Sequence, residues 1–111
     1  MRKDNLKKER YEGRIQNEVN TFLRNNLTDP RLKFVSITKV ELNNDYSMAQ
    51  VYWDLFDSSK RGDVKKAMTK IAGKVRKMLA DRLTVRQVPQ INFVYDSQYE
   101  DEQKIIELLK S

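Results

Sequence analysis

The stretch from Arg61 to Arg86, RGDVKKAMTKIAGKVRKMLADRLTVR, restricts the fold more than any other part of the chain. Val64, Ala67, Met68, Ile71, Val75, Met78 and Leu79 recur at spacings of three and four, the period of a helix with one apolar face. Segments rich in β-branched and aromatic residues lie on both sides of it. Strand, long helical crossover, strand requires a helix layer packed on a mixed sheet.

The same stretch carries nine basic residues against two acidic ones, Asp63 and Asp81. At about 100° per residue, Lys66, Lys70, Lys74 and Lys77 form a second stripe roughly opposite the apolar one. Gly73 falls on that outward side, so packing against the core does not account for it. A mid-helix Gly costs about 1 kcal/mol relative to Ala and permits a kink. A break there would open a second helix N-terminus beside Lys74, Arg76 and Lys77, where free N–H groups, the helix dipole and cations suit a phosphate. The plainer reading is a solvated lysine-rich face with a tolerated Gly. The stretch alone does not choose between them.

A chain of 111 residues is one domain, residues 1–111, with enough length for a single core without staples. The absence of Cys removes disulfides and thiolate metal sites, and the absence of His removes the commonest general base and metal ligand. No cofactor and no small-molecule substrate are expected. No apolar run approaches the roughly 18 residues of a membrane span. The N-terminus is basic but lacks the apolar core of a signal peptide. The expectation is a soluble cytoplasmic protein without a membrane partner.

Net charge is +6 and the isoelectric point about 9.6. The charge is uneven: residues 1–14 hold six basic and three acidic groups, whereas residues 96–111 hold five acidic and two basic. Such local bias points to a polyanion partner. The basic stretch contains no aromatic residue for stacking, so its contacts would be mainly to phosphate.

In chain order, a polar tail from Met1 to about Asn5 is expected to be mobile. A first helix follows from about Leu6 to Leu27, with Tyr11, Ile15, Val19, Phe22, Leu23 and Leu27 on one face, and Asp29-Pro30 stops it. Arg31 beyond this stop would salt-bridge locally or reach a phosphate. Phe34 to Leu42 reads as a strand in which Val35 and Ile37 alternate with Ser36 and Thr38, while Phe34, Val40 and Leu42 blur the faces. Asn43-Asn44-Asp45 signals a turn, giving a hairpin with about three loop residues. The second strand, Ser47 to Phe56, puts Ala49, Val51, Trp53 and Leu55 on one face; Trp53 is a core residue or an exposed stacking platform. A Ser or Asp within residues 57–60 is available to cap the central helix. Pro89 leads into a third strand, Ile91 to Tyr95. Residues 97–111 hold a short last helix, from about Glu100 to Leu109.

This order is the αββααβ arrangement of a type II KH domain, and the chain resembles the bacterial ribosome-binding factor A family over nearly its whole length. The residues that carry the resemblance are Thr28-Asp29-Pro30-Arg31-Leu32, Val35-Ser36-Ile37-Thr38-Lys39-Val40 and Ala49-Gln50-Val51-Tyr52. They continue with Ile71-Ala72-Gly73-Lys74-Val75-Arg76 and with the run from Arg86 to Asp96, RQVPQINFVYD. Each is weak alone; in order and at natural spacings they are specific. The resemblance implies an α+β, KH-like domain with a three-stranded mixed sheet, helices on one face, and a kinked central helix in place of the GxxG loop. The only glycines, Gly13, Gly62 and Gly73, agree with the missing loop. The kink of the family lies at an Ala-x-Gly element, which here reads Ile71-Ala72-Gly73. Ile71 departs from that pattern and lies on the apolar stripe, where it would pack inward.

The function implied by the resemblance is non-enzymatic: binding of the immature small (30S) ribosomal subunit and its 16S rRNA, help in late maturation and rRNA processing, and release before translation. The family is often tied to growth in the cold. A basic helix can hold RNA backbone without reading sequence. The residues expected to do so are Lys66, Lys70, Lys74, Arg76 and Lys77, with close backbone approach at Ala72 and Gly73 and extension of the patch by Arg82 and Arg86. Arg2, Lys3, Lys7, Lys8 and Arg10 would add a basic arm. Two other classes stand beside this one. A nuclease without His or Cys would need carboxylates around a metal, for which Asp54 and Asp57 are near in sequence. A sequence-tolerant RNA-binding adaptor would satisfy charge and fold equally. A monomer is the default, because no strong exposed apolar stripe is evident; edge-strand pairing is the route to self-association.

Overall fold

A computed structural model describes residues 2–25, 29–97 and 105–110. The order is helix α1 (Arg2–Arg24), a 3₁₀ helix (Pro30–Phe34), strands β1 (Val35–Leu42) and β2 (Met48–Leu55), a second 3₁₀ helix (Ser58–Lys60), helix α2 (Arg61–Arg82) and strand β3 (Gln90–Tyr95). A further short helix covers residues 105–110. The sheet order is β1-β2-β3, with β1 antiparallel and β3 parallel to β2. The parallel pair follows from the crossover through α2, as strand–helix–strand connectivity requires.

The periodicities resolve into one core. Ile15, Val19 and Leu23 of α1 and Val64, Ala67, Met68, Ile71, Val75 and Leu79 of α2 are buried against Ile37, Val40, Leu42, Ala49, Val51 and Trp53 of the sheet. Both helices therefore cover the same sheet face. The other face carries Lys39, Glu41, Gln50, Tyr52 and Asn92, joined by Lys39–Glu41 at 2.9 Å and an Asn92–Gln50 hydrogen bond at 2.6 Å. The blurred faces of β1 have a simple cause. The register shifts between Ile37 and Lys39, which inserts one residue opposite β2. Because side chains alternate, one extra residue reverses the parity, so Val35 and Ile37 before the bulge and Val40 and Leu42 after it all point inward.

Helix α1 also guards the free edge of β1. Glu12, Gln16 and Asn20 recur every four residues beside the apolar stripe and reach the strand backbone. The Ile37 N–H donates to Asn20 Oδ1 at 2.8 Å, and the Ile37 carbonyl accepts from Gln16 Nε2 at 3.0 Å. The Leu42 N–H donates to a Glu12 carboxylate oxygen at 2.7 Å. Groups that would otherwise template pairing with another chain are thus engaged at these two residues. Asn20→Ala leaves the Ile37 N–H without this acceptor and is expected to cost about 1–2 kcal/mol, measured by urea unfolding.

Several boundaries differ from expectation. Helix α1 begins at Arg2, so the segment expected as a tail is helical from there; Leu27 lies outside the described residues. Phe34 belongs to the 3₁₀ helix rather than β1, because Asp29 caps that turn by accepting from the Arg31 N–H and Pro30 presets its first φ. The hairpin loop is five residues, 43–47, not about three. Asn43 Oδ1 and Asp45 Oδ1 accept from the Met48 and Ser47 N–H groups, and Tyr46 adopts a φ of 62° while its ring packs edge-on against Tyr11 at 5.6 Å. Asp57 caps the second 3₁₀ helix through the Ser59 N–H and hydroxyl, so Lys60 stands at the N-cap of α2 without a side-chain cap.

The main correction concerns Gly73. Helix α2 runs unbroken from Arg61 to Arg82, so the central helix is one element and no second N-terminus opens at Gly73. A tolerated Gly costs only about 1 kcal/mol. Against that, Ile71 at 6% exposure, Val75 and Leu79 anchor the helix on both sides of it, and burial of such side chains is worth about 1.5–3 kcal/mol each.

Candidate nucleic-acid interface

The apolar face of α2 lies on the sheet, which leaves the opposite side in solvent. Lys66, Lys70, Gly73, Lys74, Arg76 and Lys77 are all exposed there. Four of the lysines follow one another along the helix axis over about 16 Å, at a rise of 1.5 Å per residue. Among the described residues none of the lysines in this row makes an ion pair, unlike Arg31 with Asp29 and Lys39 with Glu41. Their charge is therefore available to a partner.

At the C-terminal half of this face, Gly73, Arg76, Lys77 and Ala80 of α2 and Val85, Arg86 and Val88 of the following loop line a shallow groove of about 470 Å³. The loop is placed by Leu83, buried and bonded through its N–H to the Leu79 carbonyl, and by Pro89, also buried. Arg86 is thus brought back beside Arg76 and Lys77 although it lies outside the helix. Gly73 opens the floor of this groove. An added Cβ there would meet nothing within 4 Å, so nothing in the chain's own packing demands the glycine. Gly73→Ala is expected to raise stability by about 1 kcal/mol in thermal unfolding while weakening binding of an RNA backbone that approaches the helix closely.

Two expected residues fall elsewhere. Arg82 does not extend the patch: it lines a separate pocket with Glu18, Thr21, Phe22, Asn25 and Met78, facing α1, and its carbonyl accepts from Arg14 Nη2 at 3.0 Å. Ala72 is half-buried. It lies three turns beyond Arg61, whose guanidinium stacks over Tyr95 at 5.1 Å, so it belongs to the helix edge turned toward β3. Arg31 takes the local option, with Nε and Nη2 bonded to the two Asp29 carboxylate oxygens at 2.9 and 2.8 Å. This bidentate contact holds the Asp29 carboxyl below its ordinary value.

The carboxylates considered for metal-dependent cleavage are engaged differently. Asp57 is a capping residue, as described above. Asp54 lies on the open sheet face beside Asp96, which accepts from Thr38 Oγ1 at 2.7 Å, and no third His, Cys, Asp or Glu joins them among the described residues. Burial pushes the Asp54 carboxyl above its ordinary value near 3.8, and the Asp96 charge adds to the effect. The folded state therefore holds this proton more tightly than the unfolded chain. The contribution favours folding below the ordinary value and is lost as pH rises through the raised one. Asp54→Asn is expected to stabilise the protein at neutral pH by about 0.5 kcal/mol, screened because the group is half-exposed. Little change is expected near about pH 3, with urea unfolding at the two pH values as the check.

A three-stranded mixed sheet covered on one face by two long helices, with the basic side of the crossover helix exposed, defines a type II KH-like α+β domain without a GxxG loop. The chain belongs to the ribosome-binding factor A family, whose model matches residues 7–109. Ribosome-binding factor A of Lactococcus lactis subsp. cremoris (strain SK11) is 38% identical over 110 residues, covering 96% of this chain and 92% of that protein. The crystal structure of ribosome-binding factor A from Thermus thermophilus superposes with a TM-score of 0.70 at 24% identity, over 79% of this chain and 94% of the other. The coordinates of the Thermus thermophilus factor fitted into a cryo-EM map of its 30S complex give a TM-score of 0.60 at 22% identity, over 78% and 91%. Both structural likenesses bear on the fold. Among the described residues, no helix is long and apolar enough to cross a membrane.

Proposed function

We propose that this protein is a non-enzymatic assembly factor. It binds the immature small ribosomal subunit through the backbone of 16S rRNA, assists late maturation and rRNA processing in the cytoplasm, and leaves before translation. The observation that carries this reading is the row Lys66, Lys70, Lys74 and Lys77 with Arg76 and Arg86, exposed and without ion pairs among the described residues, on a chain of this family. Cations spaced along one helix neutralise successive phosphates and release counterions, which gives affinity without base readout. An unbroken helix supports this as well as a kinked one would, because the lysines, not a second N-terminus, supply the charge. A role in growth at low temperature follows from the same activity, since misfolded rRNA helices are slower to rearrange in the cold.

The test is sedimentation of the purified protein with mature and immature small subunits and with large subunits, across a salt series. Tight, salt-sensitive binding to the small subunit alone is the expected result. Equal binding to small subunits, large subunits and generic duplex RNA would replace this reading with that of a sequence-tolerant RNA-binding adaptor.

A further inference from the structure

The end of the sheet opposite the hairpin carries an apolar groove of about 430 Å³ that the basic face does not use. Pro30, Phe34, Leu55, Phe56, Lys60 and Val64 line it. Phe34 is 73% exposed and Phe56 fully exposed. The sequence shows no strong exposed apolar stripe and both rings read there as strand residues, but Phe34 closes the first 3₁₀ helix and Phe56 lies just past the end of β2. Two aromatic rings flanking a pocket in water are an unfavourable surface unless something covers them.

One segment of the chain fits. Residues 105–110 form a helix in which Ile105, Ile106, Leu108 and Leu109 are exposed at 57%, 42%, 74% and 81%. At 100° per residue these four share one side, and Glu107 and Lys110 share the other. A helix this short is not stable in water on its own, and here it stands off the groove, whose lining contains none of its residues, with its apolar side in solvent. The topology puts the groove within reach. β3 ends at Tyr95, paired with Trp53 of β2, and the Asp96 N–H donates to the Trp53 carbonyl at 2.7 Å. Leu55, two residues beyond Trp53, is already a wall of the groove, about 10 Å from Tyr95. The connection of residues 96–104 spans up to about 30 Å when extended. A tether of this length holds segment and groove at an effective concentration of about millimolar, which favours this occupant over a second copy at ordinary protein concentrations.

We propose that residues 105–110 dock their apolar side into the groove between Phe34 and Phe56, as an intramolecular cover for this end of the sheet. Glu107 and Lys110 then stay in water. The inference does not rest on the rRNA-binding reading, since groove and basic face are lined by different residues.

The chain has no cysteine, so Lys110→Cys accepts a single nitroxide label on the full-length protein. In dilute ¹⁵N-enriched protein, the amide signals of Phe34, Leu55 and Phe56 are expected to lose most of their intensity when the label is oxidised and to recover it on reduction. Leu109→Asp or Ile106→Asp in the same labelled chain is expected to restore them, and neither residue belongs to the core. Three results would overturn the proposal. The first is no loss of intensity at these residues. The second is loss confined to another surface. The third is loss that persists when the label sits only on unenriched copies mixed with unlabelled enriched protein, which would make the occupant a second molecule.

Discussion

Changing Lys70, Lys74 and Lys77 together to Glu is expected to abolish co-sedimentation with the small ribosomal subunit while leaving the circular dichroism spectrum and the unfolding midpoint nearly unchanged. The fold survives because all three side chains are exposed and make no ion pair among the described residues, so the reversal breaks none there. It also leaves the apolar face from Val64 to Leu79 untouched. Binding fails because three phosphate contacts become three repulsions on one strip of helix. For the milder Lys→Gln series, each lost contact is expected to lower the slope of log K against log salt by about 1, so the triple variant would lose about 3. The positional control is Arg82→Gln. Arg82 faces α1 rather than the groove, so its neutralisation is expected to change the salt slope little. Unchanged co-sedimentation of the triple Glu variant would remove this face from the mechanism.

The second large effect is on folding. Trp53→Ala is expected to cost about 3–5 kcal/mol, the range for deleting a large aromatic side chain from a core. Trp53 is 1% exposed on the central strand, paired with Ile37 on one side and Tyr95 on the other. Its ring meets the Tyr95 ring edge-on at 5.0 Å. The loss is a large part of the roughly 5–15 kcal/mol that holds a small domain. Urea unfolding would show the midpoint falling far enough to populate the unfolded state at modest denaturant. Trp53→Phe keeps an aromatic ring on Tyr95 and is expected to recover much of the difference. A surface stacking platform would behave in the opposite way, losing RNA affinity with little change in stability.

Sequence period alone was enough for the two long helices, the three strands and the inward side of α1, α2 and β2, because burial of apolar side chains acts on residues already spaced by helix or strand geometry. Ile15, Val19 and Leu23 on α1, or Ala49, Val51 and Trp53 on β2, needed no knowledge of neighbours. The basic row on α2 was legible for the same reason: what is opposite the apolar face of a packed helix must face water. The family was legible too, from short runs of residues in order.

Other features depended on partners far away in the chain. The bulge between Ile37 and Lys39 returns Val40 and Leu42 to the side that α1 covers; its local trace is the break in alternation after Ile37, which blurs the faces without saying which residue is extra. Gly73 illustrates the same limit from the other direction. Local propensity left a break and a tolerated Gly equally open, and the helix runs unbroken through it because side chains on both sides are anchored in a sheet formed by strands 35–42, 48–55 and 90–95. Arg82 and Arg86 read alike as outlying cations, yet α1 claims one and the loop before Pro89 carries the other back to the basic face. The sequence therefore determined the elements, the buried sides of α1, α2 and β2 and the sign of the exposed charge, all of which follow from spacing along the chain. Tertiary structure decided which cations share a surface, whether a weak helix residue breaks its helix, and which aromatic rings are left in water. Those outcomes are set by contacts between segments whose separation in sequence carries no record of their distance in space.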